Sequence, residues 1–200
     1  NGISSSQADL TVSDRIKGID MNNNLKLLTP RMFFSGILLT LAALTEIILT
    51  ILLYNPQASP VLQNTGWVML WISAFFGWAP IFTLNRWGEV PEGKSYIHTN
   101  RLVDRGVYGI VRHPQYLAGI LLGAALPLIA GRWQVAIPGA ALILSIVTTV
   151  LEEEKGCLEK FGTAYQEYKR RVPRLNFILG LIRWSLRRWA VKPPQEDKSS

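Results

Sequence analysis

The chain alternates long apolar blocks with short charged stretches, the pattern of membrane helices rather than of a soluble core. The first block, Met32 to Tyr54, runs 23 residues with one charge, Glu46. About 20 apolar residues span a bilayer as a helix, so this block is long enough. The second, Gly66 to Leu84, carries no charge. The third and fourth, Tyr116 to Ala130 and Val135 to Leu151, are each slightly short alone, and the "GRWQ" between them reads as a tight turn. Together they predict a helical hairpin. Pro80, Pro127 and Pro138 fall inside these blocks, where neighbouring helices can satisfy the freed carbonyls.

Beyond the fourth block, Phe161, Ala164, Tyr165, Tyr168 and Val172 follow a mostly helical spacing, which predicts an amphipathic helix ending near Pro173. "NFILGLIRWSLRRWAV" comes next, short and arginine-rich, and reads as an interfacial helix or a shallow fifth segment. The expected fold is all-α: a polytopic integral membrane helical bundle with four transmembrane helices, a candidate fifth, and a cytoplasmic C-terminal helical catalytic region. The expected organisation is a polar segment 1–30, N-terminal transmembrane helices 31–97, a catalytic region 98–190 containing the hairpin 114–154, and a disordered tail 191–200. Met21 reads as a candidate original start, with an appended or disordered leader before it. No block resembles a cleavable signal, because the first is too long and lies too far along the chain.

Charge then gives an orientation. Of the 21 lysines and arginines, four precede the first block, five lie in 85–115, one in the hairpin turn, eleven from 152 onward, and none in 55–65. By the positive-inside tendency, both termini, the 85–115 loop and the tail lie on the cytoplasmic side of the cell membrane. The net charge of +7 is mostly this asymmetry, so it needs no nucleic acid to explain it. The single cysteine, Cys157, excludes an internal disulfide and a cysteine-rich metal site. No Gly-x-Gly, phosphate loop or paired-histidine zinc helix is present, and the two histidines, His98 and His113, stand 15 apart.

The hairpin has a consequence for chemistry. Tyr116 lies 16 residues before Arg132 and Leu151 lies 19 after it. The arms are therefore about 24 and 29 Å long as helices. Two antiparallel helices joined by a short turn bring their far ends together, so "RHPQY" (112–116) and "EEE" (152–154) should face each other at the hairpin mouth. Pro114 fits the first helical turn, which puts His113 at the N-cap with Tyr116 on its face. The glutamates are expected at the C-terminal end of the partner helix, where the macrodipole disfavours them and calls for a cation, either arginines or a ligand. Gly106 and Gly109 bracket Tyr108, which reads either as an ordinary turn or as backbone turning close to a ligand. Glu46 stands alone inside a span; a functional carboxyl and an interhelical hydrogen-bonding one are both open readings.

"LVDRGVYGIVRHPQYLAG" (102–119) and "EEEKGCLEKFGTAYQEYKRRVPR" (152–174) resemble the isoprenylcysteine carboxyl methyltransferase and phospholipid methyltransferase group of integral membrane enzymes. The likeness covers about residues 98–175 and is ordered: L-V-x-x-G-x-Y, R-H-P-x-Y, E-E, F-G-x-x-Y-x-x-Y, then V-P. The chain is similar to small prokaryotic members of the group, such as the archaeal isoprenylcysteine methyltransferase homologues. The resemblance implies S-adenosylmethionine as methyl donor, with S-adenosylhomocysteine as product. It also implies a cofactor pocket in the C-terminal half and a lipid or prenylated substrate entering from the bilayer.

Position by position, Leu102, Val103, Tyr108, His113, Pro114, Gln115 and Tyr116 match the cofactor-contacting motifs. Glu153 matches the functional glutamate when Phe161 and Gly162 align with the F-G pair, while a one-residue slip would select Glu152 or Glu154. His113 and Glu153 are the expected catalytic residues, and Arg112 and Glu154 the candidate substrate contacts. Eukaryotic isoprenylcysteine enzymes resemble R-x-x-E-E here, whereas this chain has Thr148 and Thr149 before its glutamates. Carboxyl methylation of a prenylated cysteine is the expectation. Phospholipid amine methylation, and a sterol-reductase-like use of NADPH, are its competitors.

Overall fold

In a computed structural model of the chain, residues 30–88 and 102–190 are described. The polar leader, His98 with most of the basic loop, and the tail 191–200 lie outside the described residues, as do the expectations placed on them. Five α-helices follow in order: α1 (Pro30–Leu52), α2 (Pro60–Trp87), α3 (Pro114–Ala130), α4 (Ala136–Arg171) and α5 (Phe177–Ala190). Short 3-10 turns at Gly106–Gly109 and Trp133–Val135 precede α3 and α4. The described residues form no strand, so this part of the chain is all-α.

Helices α1, α2 and α4 are long and apolar enough to cross a membrane. At 17 residues, α3 is shorter than those three. It spans about 25 Å at 1.5 Å per residue. Much of the surface of α1 and α2 is exposed hydrocarbon, including Leu41, Ile48, Trp71, Phe75, Trp78 and Phe82. Such a surface suits lipid and not water.

The bundle closes through small residues and backbone contacts. A Cβ added at Gly66 on α2 would meet the Ala125 carbonyl and the Ile129 side chain at 2.8 Å, so only glycine lets α2 and α3 approach this closely. Lower on the same interface, the Ser73 hydroxyl donates to the Ala118 carbonyl at 2.8 Å. The α1–α2 loop ties to the hairpin turn. Asn55 N–H donates to the Ala130 carbonyl at 2.9 Å, and the Gln63 amide donates to Asn55 and Ile129 carbonyls. Gly131 caps α3 in the left-handed region (φ 63), where glycine carries no Cβ penalty.

The hairpin expected from spacing is present, with the turn at 131–135. The second arm differs from expectation. Instead of ending near Leu151, α4 runs 36 residues without a break at the glutamates and kinks only at Gly162 (φ 53, ψ −126). The glutamates are therefore mid-helix, and the macrodipole reason for a cation beside them does not hold. The helix continues because its buried face does: Val150, Glu154, Leu158, Phe161, Tyr165 and Tyr168 keep three- and four-residue steps, and the last four cluster with Leu102 of the segment before α3. That burial offsets the cost of Gly156 inside a helix, about 1 kcal/mol relative to alanine. The amphipathic tail helix is thus the end of α4, and it stops at Arg171 just before Pro173, as its pattern predicts.

Candidate active site

Three elements meet at the hairpin mouth. The segment Leu102–His113 enters α3, the middle of α4 passes opposite, and the chain after α4 returns across both. That return is extended at Val172 (φ −119, ψ 127). Its Pro173 carbonyl accepts from Arg112 N–H at 3.0 Å, and the Arg174 carbonyl accepts from His113 N–H at 3.3 Å. Two motifs about 60 residues apart are thus stitched by main chain. The Tyr168 hydroxyl adds a third tie, donating to the Tyr108 carbonyl at 2.8 Å.

His113 is the N-cap of α3 and Pro114 its first residue, as the sequence predicts. Its ring stands 5.8 Å from that of Tyr116. Glu154, opposite, is 5% exposed and is the electrostatic centre. Arg112 Nη1 lies 2.6 Å from its Oε1, and Arg174 Nη2 lies 2.6 Å from its Oε2. His113 Nε2 at 3.4 Å and Lys169 Nζ at 3.8 Å complete the group. Protein arginines therefore answer the cation demand at Glu154, which places Glu154 inside the scaffold. Burial lowers the His113 pKa below 6.5, only partly opposed by Glu153 and Glu154, so the imidazole is neutral at pH 7. The Glu154 hydrogen bond raises the Arg174 pKa further.

Beside this ion group lies a cavity of about 180 Å³. Leu102 and Val103 line it from the entering segment, and Tyr108 from the 3-10 turn. Arg112, His113, Pro114, Gln115 and Tyr116 line it from the start of α3, and Glu153 from α4. Every residue matched above to a cofactor motif is on this wall, whereas Glu154 is not. Glu153 is half-buried and reached by the Tyr116 side chain, and it makes no ion pair among the described residues. The buried Arg112 Nε has no hydrogen-bond partner among the described residues.

Sequence reading missed the rest of the wall. Leu84 closes it from α2, and Cys157, Phe161, Tyr165 and Tyr168 continue the Glu153 side of α4. Their successive steps of three or four residues, counted on from Glu153, were the available signal. Tyr165 and Tyr168, which the helical spacing placed on one face of the tail helix, are buried and line the cavity as well. Arg174 was missed because it lies beyond the last motif position.

An aromatic-lined cavity at one end of a helical bundle, three of whose helices suit a membrane, defines the class: a helical membrane protein with a cavity at the bundle end. The phospholipid methyltransferase family matches residues 62–164, more than half of the chain, and the chain belongs to that family. It is 32% identical over 159 residues to methanethiol S-methyltransferase 2 of Bradyrhizobium diazoefficiens, across 68% of this chain and 58% of that protein. The chain thus spans less than two thirds of that relative's length. Two Delta(14)-sterol reductases match shorter stretches. The one from Mus musculus is 35% identical over 75 residues, across 36% of this chain and 18% of the reductase. The one from Gallus gallus is 34% identical over 87 residues, across 42% and 14%.

Proposed function

We propose that the cavity binds S-adenosylmethionine and that the protein transfers its methyl group to a nucleophile carried on a lipid. The observation that carries this reading is Glu153: a carboxylate on the cavity wall, without an ion-pair partner among the described residues, facing the start of α3. The residues fit the donor's three polar features. Glu153 would hold its ammonium. The unpartnered Arg112 Nε and the first N–H groups of α3, at Gln115 and Tyr116, would hold its carboxylate. The rings of Tyr108, Tyr116 and Phe161 would pack against its adenine or sulfonium. The donor supplies an activated methyl group, and the protein's part is to align an acceptor with it. Alignment of this kind is worth up to roughly 7–11 kcal/mol.

Our first reading of the acceptor is a carboxylate such as that of a prenylated cysteine, which needs no base at pH 7. Against its strictest form, Thr148 and Thr149 stand where an arginine is expected, and both hydroxyls donate to the Ser145 carbonyl. The second reading is an acceptor that loses a proton, an amine or a thiol. Neutral His113 beside the cavity is suited to take that proton. The family's description and the methanethiol enzyme's name support this second reading. The bundle would cross the membrane at α1, α2, α3 and α4, with the cavity on the cytoplasmic side where the arginines and lysines collect.

The test is transfer of labelled methyl from S-adenosylmethionine to a farnesylcysteine analogue, a thiol and phosphatidylethanolamine, each offered to the protein in bilayers. A base-labile product marks an ester, and a stable one a thioether or methylamine. No transfer to any acceptor, together with binding of labelled NADPH, would overturn the reading in favour of a reductase.

A further inference from the structure

A second concavity lies on the opposite side of the Gly106–Gly109 turn from the cavity, with a volume of about 620 Å³. Its walls are apolar: Phe75 and Ala79 from α2, Val107 and Ile110 from the turn, and Trp184 from α5. It opens beside the exposed aromatic face of α2, where Phe75, Trp78 and Phe82 are 60%, 66% and 69% exposed. Glycines set its shape. Gly180 packs directly on the Ile110 carbonyl, and a Cβ at Gly106 would meet Thr83 at 2.9 Å.

The rim is cationic. Arg105 lines the groove and is exposed, and no ion pair involves it among the described residues. Arg187 also lines it, with Nη2 donating to the Gly109 carbonyl at 2.9 Å and Nε to the Arg183 carbonyl at 3.2 Å, and no carboxylate pairs with it among the described residues. Arg183, exposed on the preceding turn of α5, shares the face of Arg187. The acid at the groove, Asp104, is held by Arg171 at 3.3 Å. An apolar groove open to the lipid-facing side, rimmed by arginines with no free acid among the described residues that line it, complements an acyl chain joined to an anionic headgroup.

We propose that this groove binds an anionic phospholipid, with an acyl chain along Phe75, Ala79 and Trp184 and the phosphate at Arg105, Arg183 and Arg187. The site is separate from the cavity but shares its wall, because Tyr108 of the same turn faces the cavity. A lipid held there braces the turn from behind, which couples headgroup charge to the donor site without contact between the ligands.

Native mass spectrometry of the full chain released from nanodiscs of phosphatidylcholine and phosphatidylglycerol tests this without any methyl transfer. Phosphatidylglycerol should be retained in preference to phosphatidylcholine. Arg105→Gln and Arg183→Gln should each weaken its retention about fivefold, the effect of about 1 kcal/mol per basic residue near an anionic surface. Ala79→Trp, which fills the groove and leaves the charge unchanged, should abolish the preference. Soluble glycerophosphoglycerol should not compete. Equal retention of the two lipids, retention unchanged in the Arg105→Gln/Arg183→Gln double variant, or displacement by inorganic phosphate would each overturn the proposal.

Discussion

Two buried carboxylates show how differently the two regions of this bundle are built. Glu154, at the cavity end, is 5% exposed and meets Arg112 and Arg174 at 2.6 Å each. Glu46, inside α1, is 0% exposed, and neither of its oxygens has a hydrogen-bond partner among the described residues. In place of a partner it has a notch: a Cβ added at Gly139 would stand 2.5 Å from both Glu46 Oε1 and the Gly123 carbonyl. The cavity end is tied by charge and main-chain pairing, and the apolar body by close approach of small residues. Removing a charge should therefore hurt the first region, and adding a methyl group the second.

Glu154→Gln should have the largest effect, a loss of about 3–5 kcal/mol, because it strands two arginines that are paired in the fold. Thermal unfolding in detergent would show it. Gly139→Ala should cost about 1–3 kcal/mol by overpacking, as the Gly123 carbonyl is backbone and cannot turn away. Glu46→Gln should change stability by less than about 1 kcal/mol, since it leaves no partner unpaired. Equal losses for Glu46→Gln and Glu154→Gln would erase the contrast.

The smallest effect is a pH slope. The folded-state pKa of His113 lies below its ordinary value of 6.5, so the unfolded chain binds its proton first. Its contribution to stability is full above about 6.5 and is lost as pH falls toward the depressed folded value. His113→Gln should flatten the unfolding profile over that range, and an unchanged slope would show that burial does not hold this imidazole neutral.

The hairpin and the meeting of 112–116 with 152–154 were legible because they follow from helix length and a short turn. The cap was legible because Pro114 tolerates only a few places in a helix. The course of α4 was not. Three glutamates and Gly156 look like an exit from the membrane; the spacing of Tyr165 and Tyr168 predicts a helix there but not its continuity with the one before, which tertiary burial sustains.

The roles of the glutamates were hidden for the same reason. Successive helical residues point about 100° apart, so Glu153 and Glu154 face different neighbours. Which of them meets the cavity depends on where α3 and the returning Pro173–Arg174 segment lie. Arg174 occupies the position beside Glu154 that the sequence left to an unnamed cation.

The central claim is that Glu153, and not its buried neighbour, meets the methyl donor. Calorimetric titration of S-adenosylhomocysteine onto the wild-type protein and Glu153→Gln tests it directly. The wild type should bind, and Glu153→Gln should fold normally and bind about tenfold to a hundredfold more weakly, the range for a hydrogen bond to a charged group. Wild-type affinity in Glu153→Gln, or no binding to the wild type, would contradict the account.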